Sequence, residues 1–220
     1  MTILSQMFIA FLAAAMAIPA NAGDILLESF DEPAHHWKQM NDPVMGGKST
    51  GTFKIEDGVG IFDGEVVDVP FLHAPGFIKV QSRGRKPYAD VSSCQALKLT
   101  LRSSVNYDGY RVSFGNAHPP NGKFFAYGYK AGLKVPHDAE EPRQFNEVEI
   151  RFNEFSDLWD DATGEQIKTC KEHAEYCPDE KTLKNMKTIS IWAEGVAGKV
   201  HLEVKSISAT GCSENVEQAY

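Results

Sequence analysis

Leu97-Lys98-Leu99-Thr100-Leu101-Arg102 alternates apolar and polar side chains without a break. In an extended chain successive side chains point to opposite faces, so the leucines share one face while Lys98, Thr100 and Arg102 share the other. That is the pattern of a half-buried strand. Tyr110, Val112 and Phe114 repeat it around Arg111 and Ser113, Val148, Ile150 and Phe152 around Glu149 and Arg151, and Val200, Leu202 and Val204 around His201 and Glu203. Strands wet on one face belong to antiparallel sheets. Turn residues fall between such runs: Asp57-Gly58 separates 52–55 from 59–62, Asp108-Gly109 precedes Tyr110, and 195–198 links 189–192 to 200–204. No long helical period follows, although Lys181 to Met186 is expected to make a helical turn or two. About nine to eleven strand-like runs suffice for two stacked sheets around one core. The expected fold is all-β, an antiparallel β-sandwich of jelly-roll type.

Composition narrows the partners. With 220 residues, 42% hydrophobic and 24% charged, the chain reads as one globular domain over 23–220, preceded by a leader. A net charge of −8 argues against a nucleic-acid partner, because phosphate binding needs clustered cations. The densest basic group, Lys79, Arg83, Arg85 and Lys86, is read as a solvated loop. Met7 to Ile18 is uninterruptedly apolar and is followed by Pro19-Ala20-Asn21-Ala22, with small residues placed for cleavage. The run is shorter than the roughly 20 residues of a membrane helix, so 1–22 is read as a signal peptide and the mature chain is expected to start near Gly23, without a membrane span. A mitochondrial presequence would be rich in arginine, and this segment has none.

Cys94, Cys170, Cys177 and Cys212 are even in number, as in a disulfide framework of a secreted chain. Four cysteines allow three pairings. The short polar insert between Cys170 and Cys177 favours a local bridge, leaving Cys94 with Cys212. The spacing lacks the close cysteine pair of a zinc site.

The least ordinary stretch is Trp37 to Gly51, WKQMNDPVMGGKSTG. It mixes apolar Trp37, Met40 and Met45 with Asn41, Asp42, Pro43 and Gly46-Gly47, residues suited to unusual backbone angles. Trp37, Asn41, Asp42, Met45, Gly46, Gly47 and Ser49 are the candidate residues for contact with a partner or ligand. Gly47-Lys48-Ser49-Thr50-Gly51 fits the letters of a hydrolase nucleophile elbow, but the strand-like sequence after it takes the place of the required helix. A phosphate loop fails too, since its first glycine would fall on Asp42.

Two further groups carry possible chemistry. Asp157, Asp160 and Asp161, around Trp159, are candidate oxygen ligands for calcium, with a solvated acidic turn as the alternative. Phe124, Phe125, Tyr127 and Tyr129, with Tyr110, either offer rings to a sugar or fill the core, and the core is the favoured reading. The seven histidines are scattered, and none stands near an Asp or Ser at a spacing that forms a catalytic set.

The corner from Trp37 through Asn41-Asp42-Pro43-Val44-Met45-Gly46-Gly47-Lys48-Ser49 resembles the signature of the complex I intermediate-associated protein 30 family. The resemblance continues through Phe62-Asp63-Gly64, Gly76 to Val80, Trp159-Asp160-Asp161 and Ile189 to Ala209. It implies a galactose-binding-like β-sandwich and an assembly or chaperone-like role without catalysis. Its known members also imply a mitochondrial or plastid location, against the secretory one indicated by the leader. The expected function is therefore binding of a protein partner, with a secreted carbohydrate-binding module as the alternative and no cofactor beyond a possible calcium ion.

Overall fold

A computed structural model describes residues 23–42, 46–84, 86–116, 128–137, 144–160 and 163–213. The strands are β1 (Ile25–Ser29), β2 (His36–Asn41), β3 (Thr50–Glu56), β4 (Val59–Val66), β5 (Asp68–Val69), β6 (Ala74–Pro75), β7 (Phe77–Arg83), β8 (Ala96–Arg102), β9 (Tyr110–Gly115), β10 (Tyr129–Gly132), β11 (Asn146–Arg151), β12 (Trp159–Asp160), β13 (Glu165–Gln166), β14 (Thr188–Glu194) and β15 (Gly198–Thr210). A six-stranded sheet runs β11-β8-β15-β4-β3, with β1 also paired to β15. A five-stranded sheet runs β10-β9-β14-β7-β2. Every strand pair is antiparallel, and β12-β13 and β5-β6 form two small ribbons. The molecule is an antiparallel β-sandwich of the galactose-binding-like class.

The alternation explains the core. Leu97, Leu99 and Leu101 of β8 and Val200, Leu202 and Val204 of β15 meet Tyr110, Val112 and Phe114 of β9 and Ile189 and Ile191 of β14 in one buried cluster. Their partners in sequence, Lys98, Arg102, His201 and Glu203, lie on the outer face of the six-stranded sheet, only partly buried. Tyr110 is core rather than a platform, its hydroxyl donating to the His201 carbonyl at 3.0 Å. Tyr129 packs on Phe114, while Phe124, Phe125 and Tyr127 fall outside the described residues.

Turn chemistry also performs as read. Glu56 pairs with Val59, so Asp57-Gly58 is a two-residue hairpin loop, and both residues have positive φ, 51° and 76°. Both bridges expected among the cysteines form, Cys94–Cys212 and Cys170–Cys177. The helix α1 spans Glu180–Leu183, one residue ahead of the expected start, because the Asp179 carboxylate caps it by accepting from the Thr182 amide at 2.7 Å.

Two expectations need correction. The stretch from Trp37 is not all loop: Trp37 to Asn41 form edge strand β2, and Thr50-Gly51 open β3. Trp37 stands opposite Ser82 of β7, and its indole enters the core. The basic group is not a solvated loop either, since Lys79 and Arg83 lie on β7 and Lys79 is fully buried; Arg85 is outside the described residues. β14, unlike the alternating strands, is buried on both faces. Its outer face is covered in part by the segment that carries β12 and β13. Ser156 exchanges backbone bonds with Lys130 of β10 at 2.8 and 3.0 Å, and Gly164 lies against the Glu194 side chain. The leader, 1–22, is outside the described residues, and among them no helix is long and apolar enough to cross a membrane.

Candidate functional site

The corner after β2 is held from within. Asn41 accepts the Gly51 amide on its Oδ1 at 2.9 Å, bracing the two ends of the corner against each other. The Asp42 carboxylate is buried between Gly47 and Gly76, and a Cβ on either glycine would collide with it. Glycine is required at these positions for close approach, not only for backbone freedom. Gly46, with φ of 81°, supplies the turn. Ser49 is 1% exposed; its hydroxyl donates to the Val67 carbonyl at 3.3 Å and accepts the Val67 amide at 3.1 Å. A serine so enclosed, with β3 following it directly, does not have the geometry of a nucleophile elbow. Met45, with Pro43 and Val44, lies outside the described residues.

Trp37 is anchored at the other end. Its indole N–H donates to Glu28 Oε2 at 3.0 Å, and the same carboxylate meets His35 Nδ1 at 3.0 Å and accepts the Ala34 amide at 2.7 Å. A buried carboxylate satisfied by several donors locks the entry to β2. Trp37, Asp42 and Ser49 are thus structural members of the corner, while Asn41, Gly46 and Lys48 face solvent.

The ribbon β5-β6 is knit to this corner through Val67, whose carbonyl also accepts the Gly76 amide at 3.0 Å. Its tip, 70–73, turns through His73 at a φ of 51° and raises Phe71, which is 74% exposed. An isolated phenylalanine on a short, pinned ribbon is a ready anchor for an apolar pocket. Sequence reading missed it because Pro70-Phe71-Leu72 gives no period and its exposure depends on the fold.

The outer face of the five-stranded sheet holds a second constellation. Register places Lys79 of β7 and Arg111 of β9 on either side of Trp192 of β14. The Trp192 indole donates to Ser113 Oγ at 2.9 Å and is 3% exposed. Lys79 Nζ lies 4.2 Å from its ring centroid and Lys130 Nζ 4.5 Å from the same centroid. Lys130 is paired with Glu194 at 2.8 Å and approaches Trp159 at 5.1 Å. Among the described residues Lys79 Nζ has no hydrogen-bond partner. Burial, with Lys130 close by, pulls its ammonium down to about 8 against the opposing pull of Glu194. The alternating pattern places these side chains on one face, but only tertiary cover makes them buried.

Of the acidic group, Asp160, on β12, accepts the Thr163 amide at 3.3 Å, burial pushes the Asp157 carboxyl up, and Asp161 lies outside the described residues. Among the described residues no three His, Cys, Asp or Glu side chains are grouped to hold a metal ion. Two histidines do meet carboxylates, one of them 138 residues away in sequence. His201 bonds Asp63 of β4 and, at 3.1 Å, Glu203, and His35 bonds Glu28. Cross-strand register brings His201 to Asp63, which no local spacing discloses.

The fold and corner define a β-sandwich whose loops and sheet faces are the places where binding groups can be presented. The chain belongs to the complex I intermediate-associated protein 30 (CIA30) family, whose profile matches residues 28–172. A search among curated proteins gives no match. Among solved structures, a family 11 carbohydrate-binding module from Clostridium thermocellum, in complex with a β-1,3-1,4-mixed-linked tetrasaccharide, is similar over 89% of this chain and 99% of that one, at 16% identity and a TM-score of 0.57. The family 11 module of the cellulosomal cellulase Lic26A-Cel5E of Clostridium thermocellum is similar over 90% and 99%, at 16% identity and a TM-score of 0.54. At such identity the likeness is one of fold.

Proposed function

We propose that the chain is a non-catalytic binding protein that docks another polypeptide, in the manner of an assembly factor, through the corner around 41–51 and the adjoining β5-β6 ribbon. The observation that carries this reading is the build of that edge. Buried Asp42 and Ser49 anchor its two ends, while Asn41, Lys48 and Phe71 stand outward as contacts. Preorganisation lowers the entropy lost on docking, and an aromatic anchor concentrates the binding energy. Family membership supports a role in assembly, and the apolar leader and two disulfides support an extracytoplasmic setting. The test is site-specific photocrosslinking from position 48 in the native host. Crosslinks to one protein, lost in Phe71→Asp while the variant keeps its melting temperature, are expected. Absence of any protein crosslink would overturn the reading.

A second reading is a carbohydrate-binding module, favoured by the fold shared with the family 11 modules. Its site would be the outer face of the five-stranded sheet, where Trp192, Ser113 and Arg111 stand together. A glycan array, with and without calcium, decides it: no hit above background removes this reading.

A further inference from the structure

Lys79 is a cation without its complement. It is 0% exposed, its Nζ makes no hydrogen bond among the described residues, and it lies over the face of Trp192, 4.2 Å from the ring centroid. The buried charged side chains of this sheet face are Lys79, Lys130 and Glu194, and the last two neutralise each other at 2.8 Å. One positive charge is left over. Burying an ammonium with all three donors unsatisfied is costly, and an indole face returns only a part of that cost. Natural sequences carry such destabilising groups chiefly where a ligand completes them.

We propose that Lys79 anchors a binding subsite for a carboxylate, seated beside Trp192 on the outer face of the five-stranded sheet. The one uncompensated buried charge suits a single carboxylate, while the more exposed Arg83, Arg111 and Lys38 around it attract anions in general. The approach is from edge strand β2, where half-buried Met40 stands opposite Lys79 and the sheet ends. The carboxylate belongs either to a free small acid or to the uronic acid unit of a saccharide. This subsite is independent of the corner assigned to a protein partner, from which it differs in face and in chemistry.

The test is thermal unfolding of the full mature chain at constant ionic strength, with sodium acetate in one arm and digalacturonate in the other. A saturable rise in Tm is expected. A digalacturonate affinity at least tenfold above that of acetate assigns the ligand to acidic saccharides, and equal affinities assign it to small acids. Lys79→Met should remove the rise while leaving the ligand-free Tm equal to or above that of the wild type, since it deletes an uncompensated charge. Lys199→Met, at an exposed lysine, should change neither. In the wild type alone the rise should fade above pH about 8, as the ammonium loses its proton. The charges that face Lys79 there are Lys130 of β10, Glu194 of β14 and Arg83 of β7, with Arg111 of β9 beyond the indole and Lys38 of β2 one step along the edge. No saturable rise with either carboxylate, or a rise that survives Lys79→Met, overturns the proposal.

Discussion

Gly76 shows how much a single missing Cβ can decide. A Cβ there would collide with Asp42 Oδ2 and stand 2.8 Å from Ser49 Oγ, so an alanine must push both aside. Gly76→Ala is expected to lower stability by about 1–3 kcal/mol, the usual range for overpacking. Urea unfolding of the Asp42→Ala, Gly76→Ala cycle checks the cause. The penalty at residue 76 should shrink once the carboxylate is gone, and an unchanged penalty would refute the wedge. The sequence marks Asp42, Gly46, Gly47 and Ser49 as unusual, because glycine and Asx residues announce special backbone angles. It does not say that Asp42 and Ser49 point inward, since that depends on Val67 and Gly76, which come from another part of the chain.

At the level of elements, β4, β15 and β8 lay a polar ladder across the outside of the six-stranded sheet. His201 bonds Asp63 and Glu203, and Glu203 accepts Arg102 Nη2 at 2.6 Å. Burial pulls His201 down, but its bonds to Asp63 and Glu203 outweigh that and leave it raised. Burial lifts Glu203, but the bonds from Arg102 and His201 outweigh that and leave it lowered. The histidine therefore contributes stability below its unfolded pKa and loses it as pH rises through the raised folded value. The glutamate contributes above its unfolded pKa and loses it as pH falls through the lowered one. The ladder should stabilise best between those two ranges, in mildly acidic solution. His201→Gln is expected to flatten the alkaline side of the stability–pH curve; an identical slope above pH about 6.5 in urea titrations would contradict it. Period-two patterning reveals that His201 and Glu203 face outward, whereas the partner Asp63 follows from strand register alone.

For the whole molecule, closure comes from its ends. Cys94, ahead of β8, is bridged to Cys212, just beyond β15, across a separation of 118 residues, and the two strands pair directly beside the bridge, with Ala96 opposite Thr210. The Cys170–Cys177 bridge closes only 7 residues. Restricting the unfolded chain predicts about 4–5 kcal/mol for the first and about 2 kcal/mol for the second. Guanidinium unfolding of Cys94→Ala/Cys212→Ala and of Cys170→Ala/Cys177→Ala should reproduce that order, and the reverse order would show that the long bridge does not act through chain entropy. The sequence left three pairings open and only favoured this one, through the short polar insert between Cys170 and Cys177; the fold, by setting Cys94 and Cys212 beside paired strands, decided it.

What the sequence determined alone was local: alternating faces, two-residue turns, even cysteines and a corner rich in special backbone residues, all properties that act over a few positions. Tertiary structure decided which of those residues meet. It put Lys79 and Trp192, from strands far apart in sequence, face to face, buried both, and lifted Phe71 into solvent. Burial and charge pairing are sums over neighbours from the whole chain, so no local window of residues contains them.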